Sequence, residues 1–225
     1  MIEMLYQNIE RLRKERKITQ EQMAKMLGLS RPTYINMENG EREPSVSELE
    51  RLAAIFGVSA SELLGGPRNN KKFEQMYFYI LRKFKNGVPK TKLAKLLYLA
   101  DFSYFYDNLE PMSGVTYIRR DYGPVADIFF ETTDNLIDTG KVSVRQLDRA
   151  FMIKLASVLE NDDLLSDAEK ARMDEIVDLW KDKSTQEIVN FTHEQKPWRS
   201  RMDGEVIPYV SIIQEDPDHV YTPVA

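Results

Sequence analysis

Residues 19–44 read TQEQMAKMLGLSRPTYINMENGEREP, and the order of polar, apolar and glycine residues in them decides the first part of the fold. Thr19 is placed to cap a helix, and Gln22, three residues on, completes a capping box that satisfies two helix-end N–H groups. Met23, Ala24 and Leu27 then recur at helical spacing as an apolar stripe. Gly28 stands where the chain must take a positive φ to leave the helix. Ser30 caps a second helix, Pro32 fits its first turn, and Gly40 ends it. The stretch therefore predicts two short helices joined by a tight turn, the second opening on polar side chains.

The flanks extend the pattern. Upstream, Ile9 and Leu12 lie on an amphipathic helix that ends in the basic run RLRKERK. Downstream, Ser45/Glu48 and Ser59/Glu62 supply two more capping boxes, Leu49, Leu52, Ala53 and Phe56 form a fourth helix's stripe, and Leu63 and Leu64 close the unit. The arrangement is a helix-turn-helix. Residues 1–64 resemble the lambda-repressor-like (XRE-type) family, which implies a five-helix DNA-binding domain. The resemblance implies that Gln20 meets a phosphate and braces the reading residues, and that Ser30, Arg31, Thr33 and Asn36 present the reading surface while Tyr34 and Met37 point inward. Arginine can bond guanine O6/N7 in bidentate fashion, and asparagine adenine N6/N7. Arg13 and Glu38 match the family's internal ion pair. After Gly40 the family places basic residues against phosphate, whereas this chain has Glu41, Arg42 and Glu43, so only Arg42 can serve there. Helical bundles that never touch DNA share this geometry; the density of matching positions favours DNA.

Composition describes an ordinary globular chain of 225 residues, 42 % hydrophobic and 30 % charged, long enough for two domains. The first 70 residues carry 10 basic and 10 acidic side chains and the remainder 21 and 26, so the second part holds the whole net charge of −5. A neutral reader joined to an acidic part points to a partner other than nucleic acid for the latter, although a solvated acidic face gives the same balance. With no cysteine, disulfide and thiolate chemistry are excluded and a cytoplasmic setting is expected. MIEMLYQNIE lacks the apolar core of a signal peptide, and no apolar run is long enough for a membrane span, so no membrane partner is expected.

Residues 65–71, GGPRNNK, read as a linker, and a second domain is expected over 72–225. Phe73, Met76, Tyr77, Ile80, Leu81 and Phe84 recur at helical spacing up to Asn86-Gly87. KTKLAKLLYLADFSYFY from Lys90 gives another helix, with Leu93, Leu96, Leu97 and Ala100 buried. VTYIRRDYG opens like a strand, Gly123-Pro124 breaks it, and Pro124 suits the first turn of a helix over VADIFFETTDNLIDTG. KVSVR alternates and is expected to pair with VTYIR. Ser166/Glu169 and Ser184/Glu187 cap two further helices, the first running to about Lys181, and the tail from Asp203 reads as irregular.

Three patches of this part, KLAKLLYLAD (92–101), DYGPVADIFF (121–130) and THEQKPW (192–198) followed by IPY (207–209), resemble in order and spacing the Panacea (SocA-like) antitoxin domain over residues 73–213. The resemblance implies a mainly helical domain with a few short strands that binds and neutralises small protein toxins, commonly inhibitors of translation, and that often carries an extra N-terminal domain.

Little in the chain points to catalysis. His193 and His219 are the two histidines. They make no zinc finger, no H-E-x-x-H and no serine elbow is present, and Gly65-Gly66-Pro67 lacks the Lys-Ser/Thr of a phosphate loop, so neither metal nor cofactor is expected. His193-Glu194 beside Trp198 could act as acid or base; the favoured reading is structural, with Trp198 in the core and His193 bonded to a carbonyl. Gly123-Pro124 is explained by a turn alone, yet the turn could also shape a toxin-facing surface, because aromatics crowd it. Tyr117, Tyr122, Gly123, Pro124, His193 and Trp198 are the positions assigned to that surface. The sequence reading is thus an antitoxin that binds a cognate toxin and, as a homodimer, its operator DNA. The alternative is a phage or mobile-element regulator whose second domain senses a partner or dimerises, and a hydrolase using His193 and Glu194 ranks third.

Overall fold

The computed structural model describes residues 2–56, 58, 60–64, 70–148, 150–156 and 161–221, and the chain divides into two compact units, Met1–Arg68 and Asn69–Ala225. The linker over 65–69 and Ser59, the cap of the third box, lie outside the described residues.

Capping sets the first unit. Its helices are α1 (Ile2–Glu15), α2 (Gln20–Leu27), α3 (Arg31–Glu38), α4 (Val46–Phe56) and α5 (Ala60–Leu63). The Thr19 amide donates to Gln22 Oε1 at 2.8 Å, and the Gln22 amide returns the bond to Thr19 Oγ1 at 3.2 Å. Ser45 and Glu48 repeat the exchange at the start of α4, and Gly28 takes φ +72° after α2. Ile9, Met23, Tyr34, Met37, Leu52 and Phe56 make the core, each without exposed surface. Arg13 forks onto Glu38 with Nε–Oε2 and Nη2–Oε1 both 2.7 Å, and Gln20 Nε2 adds a bond of 3.2 Å to the same carboxylate. Burial alone would raise the Glu38 pKa; the bonds from Arg13 and Gln20 help to outweigh it and hold the group below the usual glutamate value.

The second unit is built on one helix buried on every side. In chain order it runs α6 (Asn70–Arg82), β1 (Val88–Pro89), α7 (Lys90–Asn108), β2 (Tyr117–Arg120), β3 (Gly123–Ala126), α8 (Phe129–Asp138), β4 (Val142–Leu147), β5 (Ala150–Leu155), α9 (Asp167–Trp180), α10 (Thr185–Glu194), α11 (Lys196–Arg199) and β6 (Val206–Ile207), then 3₁₀ turns at Tyr209–Gln214 and Pro217–His219. Every residue of α7 from Lys92 to Ser103 is buried, so this helix is the axis of the unit rather than an amphipathic cover. Both capping boxes expected here form, Ser166 with Glu169 and Ser184 with Glu187.

Three sequence expectations fail for a common reason, that strand partners are chosen by tertiary contact. Pro124 does not open a helix: it lies in edge strand β3, opposite Arg119 of β2, and α8 starts at Phe129. An edge strand tolerates proline's missing N–H. KVSVR does not pair with VTYIR; β4 pairs with β5 in a sheet ordered β1-β5-β4, while β2 sits between β3 and β6 in a second sheet. Nor is the tail irregular throughout. Ile207, Ile212 and Val220 are buried without exposed surface, and Gln195 Nε2 holds the carbonyls of His219 and Val220 at 3.0 and 2.7 Å.

Asp101 fastens these parts together. Its buried carboxylate accepts from the Ser113 amide at 3.0 Å, from the Ser113 hydroxyl, and from the hydroxyls of Tyr117 (3.2 Å) and Tyr209 (2.9 Å). Burial raises its pKa, and these donors oppose the rise. Asp101→Ala should therefore destabilise this unit by about 2–4 kcal/mol, because several buried donors lose their acceptor at once. Both tryptophans of the chain, Trp180 and Trp198, lie in this unit, so urea unfolding followed by their fluorescence reads the effect directly. An unchanged midpoint would exclude the carboxylate as the fastening.

Candidate functional site

The first unit offers free side chains on one helix. The Ser30 hydroxyl accepts from the Thr33 amide at 3.2 Å and shares a bond of 2.7 Å with the Thr33 hydroxyl, which fixes the entry of α3. Behind the helix Tyr34 and Met37 are buried, while Arg31 and Asn36 are exposed, and no hydrogen bond or ion pair ties either side chain among the described residues. Gln20 is spent partly on Glu38, as above. Arg42 is not free: its Nη2 reaches both Glu48 oxygens, at 2.8 and 3.0 Å, and so braces the first turn of α4. The unpaired polar groups of this surface are therefore those of α3.

In the second unit the three sequence patches converge. Lys95 of α7 has no exposed surface, and its Nζ donates to the Pro124 carbonyl at 2.7 Å. Gly123, at φ +96°, passes so close that a Cβ there would lie 2.7 Å from Lys95 Cε and 3.0 Å from Thr192 Oγ1, which requires glycine twice over. Burial pushes the Lys95 pKa down to about 7. The next residue, His193, lies with its ring parallel to Trp198 at 4.0 Å, and the Arg119 guanidinium covers Trp198 at 4.2 Å from the ring centroid. Trp198 Nε1 donates to the Arg120 carbonyl at 3.1 Å. The His193 pKa is lowered by burial first, then by the positive charges of Lys95 and Arg119.

The six positions assigned to a partner surface separate into two layers. Tyr117, Gly123 and Pro124 are buried, Tyr117 in contact with Asp101, so they lie behind any surface. Tyr122 is 74 % exposed, and His193 and Trp198 are half-buried. His193 does not bond a carbonyl as expected: its Nε2 is buried without a hydrogen-bond partner, and the ring is held by stacking. Trp198 lies at the edge rather than in the core, where Trp180 is the buried indole instead. Among the described residues no cluster of metal-ligating side chains occurs, and no helix is long and apolar enough to cross a membrane.

Comparison with known proteins follows this division. Residues 9–63 match the helix-turn-helix family, and residues 93–199 match the family described as antitoxin SocA-like, Panacea domain. The HTH-type transcriptional regulator YqaE of Bacillus subtilis is 41 % identical over 91 residues, covering 40 % of this chain and 74 % of that protein. The immunity repressor protein of Bacillus phage phi105 is 41 % identical over 59 residues, 26 % of this chain and 41 % of its own length. The cryptic phage CTXphi transcriptional repressor RstR of Vibrio cholerae is 34 % identical over 67 residues, 30 % of this chain and 60 % of its own length. No solved structure matches the chain. The chain belongs to the helix-turn-helix transcriptional regulators. In this regulator the DNA-binding domain is fused to a Panacea domain of antitoxin-like type.

The regulator's Lys95, Asp101, Thr192 and Arg119 were passed over in sequence. A signal existed for the first two: a helix whose apolar residues leave no polar face must bury its own charges, and buried charges need partners. Arg119 carried none. Lys95 yields a pH test. Because its folded pKa lies below the unfolded value, the unfolded chain binds more protons between about 7 and the ordinary lysine range, and stability rises with pH there. Lys95→Met should flatten that rise relative to the wild type. Urea unfolding at a series of pH values checks it, and parallel pH profiles would show that Lys95 keeps its proton in the folded protein.

Proposed function

We propose that this regulator is the antitoxin of a toxin–antitoxin pair: the domain over residues 72–225 binds and neutralises a small protein toxin without turnover, and the domain over 1–64 represses the pair's own promoter as a homodimer in the cytoplasm. The observation that carries the reading is the meeting of the three antitoxin-like patches in one cluster of Lys95, Gly123, Thr192 and Trp198, from which Tyr122 projects to solvent. A cluster so assembled from three distant segments gives a rigid base for a contact surface. On the DNA side, Ser30 and Thr33 fix the helix, Arg31 and Asn36 are free to read bases, and Gln20 with Arg42 serves the phosphate side while bracing Glu38 and Glu48.

Arg31→Ala and Asn36→Ala should each weaken binding to the operator upstream of the chain's own gene by about 1–3 kcal/mol and leave non-specific binding nearly unchanged. Equal losses on operator and random duplex in a gel-shift titration would rule out base reading by these residues.

Cells expressing the neighbouring gene's product as toxin should be protected by residues 71–225 alone, whereas residues 1–64 alone should give no protection and only weak operator binding, having lost the gain from a linked second half-site. Protection by the shorter fragment, or none from a soluble longer one, would place the activity elsewhere. A second reading, a phage-type regulator whose second domain only senses a partner, is favoured by the likeness of the first domain to two phage repressors. It expects an intact promoter response and no protection from any neighbouring product.

A further inference from the structure

Within the acidic second unit, Arg119, Arg120, Arg199 and Arg201 gather around Trp198. The Arg119 guanidinium and the His193 ring both lie against that indole. The Arg120 carbonyl takes the indole N–H, the Arg201 amide donates to the Trp198 carbonyl at 3.3 Å, and Arg199 follows Trp198 in the chain. Among the described residues Arg119 has one acidic neighbour, Asp203, at a long 4.0 Å. Among the described residues Arg120 and Arg199 are exposed with no ion pair, and Arg201 Nε is buried without an acceptor. By contrast, Arg82 and Arg172 of the same unit are closed onto Asp162 and onto Asp107 and Glu175. Tyr122, in the turn between β2 and β3, and Met202, next to Arg201 after α11, are at 74 % and 72 % the most exposed large apolar side chains among the described residues of the unit.

We propose that this surface, Trp198 with Arg120, Arg199, Arg201, Tyr122 and Met202, receives an acidic face of the toxin; the inference rests on the antitoxin reading above and adds the chemistry of the partner. Exposed Arg, Tyr, Trp and Met side by side are the residue types that dominate the centres of protein interfaces. Unpaired guanidinium groups answer carboxylates in paired, fork-shaped hydrogen bonds. Nucleic acid fits less well. The Trp198 ring already carries the Arg119 guanidinium and the His193 ring, which leaves little of it for a base to stack on.

The test uses the full chain carrying Arg120→Glu and Arg199→Glu together, beside a control with Arg120→Lys and Arg199→Lys. Tryptophan fluorescence and circular dichroism check that both variants fold. Affinity for the purified neighbouring product, measured at low and high salt, should fall about tenfold or more in the charge reversal and lose its salt dependence, while the lysine control keeps most of both. Unchanged toxin affinity in the folded charge reversal overturns the acidic-face assignment and leaves the antitoxin reading standing. Failure of the wild type itself to capture or neutralise the toxin overturns both. A loss confined to affinity for non-operator DNA, with toxin capture intact, gives the patch to nucleic acid and also overturns the proposal.

Discussion

A carboxylate with no exposed surface, Asp101, fixes the architecture of the second unit. It lies on a helix surrounded by protein, so no water can relieve its charge, and donors must come from other parts of the chain. They come from the turn at Ser113, from β2 through Tyr117 and from the 3₁₀ segment through Tyr209. Tyr209 stacks on Phe102 and Tyr117 meets it edge-to-face, so that the polar contact is sealed by aromatic rings. Lys92 and Lys95, nine and six residues earlier on the same helix, repeat the logic. Lys92 Nζ donates to the carbonyls of Lys181 and Lys183, just past the end of α9, and Lys95 Nζ donates to that of Pro124 in β3. Three charged residues on one buried helix thus tie it to separate elements, and the apolar stripe between them supplies the area that makes the burial favourable.

The surface around Trp198 is a consequence of that arrangement. Lys95 holds the Pro124 carbonyl of β3, and β3 pairs with β2; β2 presents Arg119 and Arg120; the hairpin turn presents Tyr122. On the other side Gly123 lets Thr192 come close, which brings His193 and Trp198 of the third patch beside the first two. Neither Lys95 nor Gly123 can touch a partner, yet both decide where the exposed groups stand. A residue may be indispensable to a surface it is not part of, because position is set by what lies behind it.

The two units solve the placement of arginine in opposite ways. In the DNA-binding unit Arg13 and Arg42 are closed onto Glu38 and Glu48, the latter also the partner in a helix cap, while Arg31 of α3 stands open. Glu48 so joins the start of α4 to the chain that leaves α3, and α3 is held at both ends. In the Panacea unit the pairing of Arg120 and Arg199 is left open, against an acidic background that would readily have supplied partners.

By itself the sequence determined the features that close within a few residues. The boxes at Thr19/Gln22, Ser45/Glu48, Ser166/Glu169 and Ser184/Glu187 and the turn at Gly28 are local, so residue type and spacing suffice to read them; so are the helices they start. Both domains were legible through ordered patches that match known families. What only the tertiary structure decided are the pairings between distant segments. Asp101 and Tyr209 are 108 residues apart and Lys95 and Pro124 29 apart, so no local pattern marks them as partners. Pro124 read as a helix start because its fixed φ suits both a first turn and an edge strand, and only the presence of β2 beside it selects the strand. KVSVR likewise carries alternation without an address, and the nearer strand β5 won it. The exposed layer of the candidate site was misjudged for the same reason: burial of Tyr117 and exposure of Trp198 depend on what packs against them, which is a property of the assembled core and not of either residue.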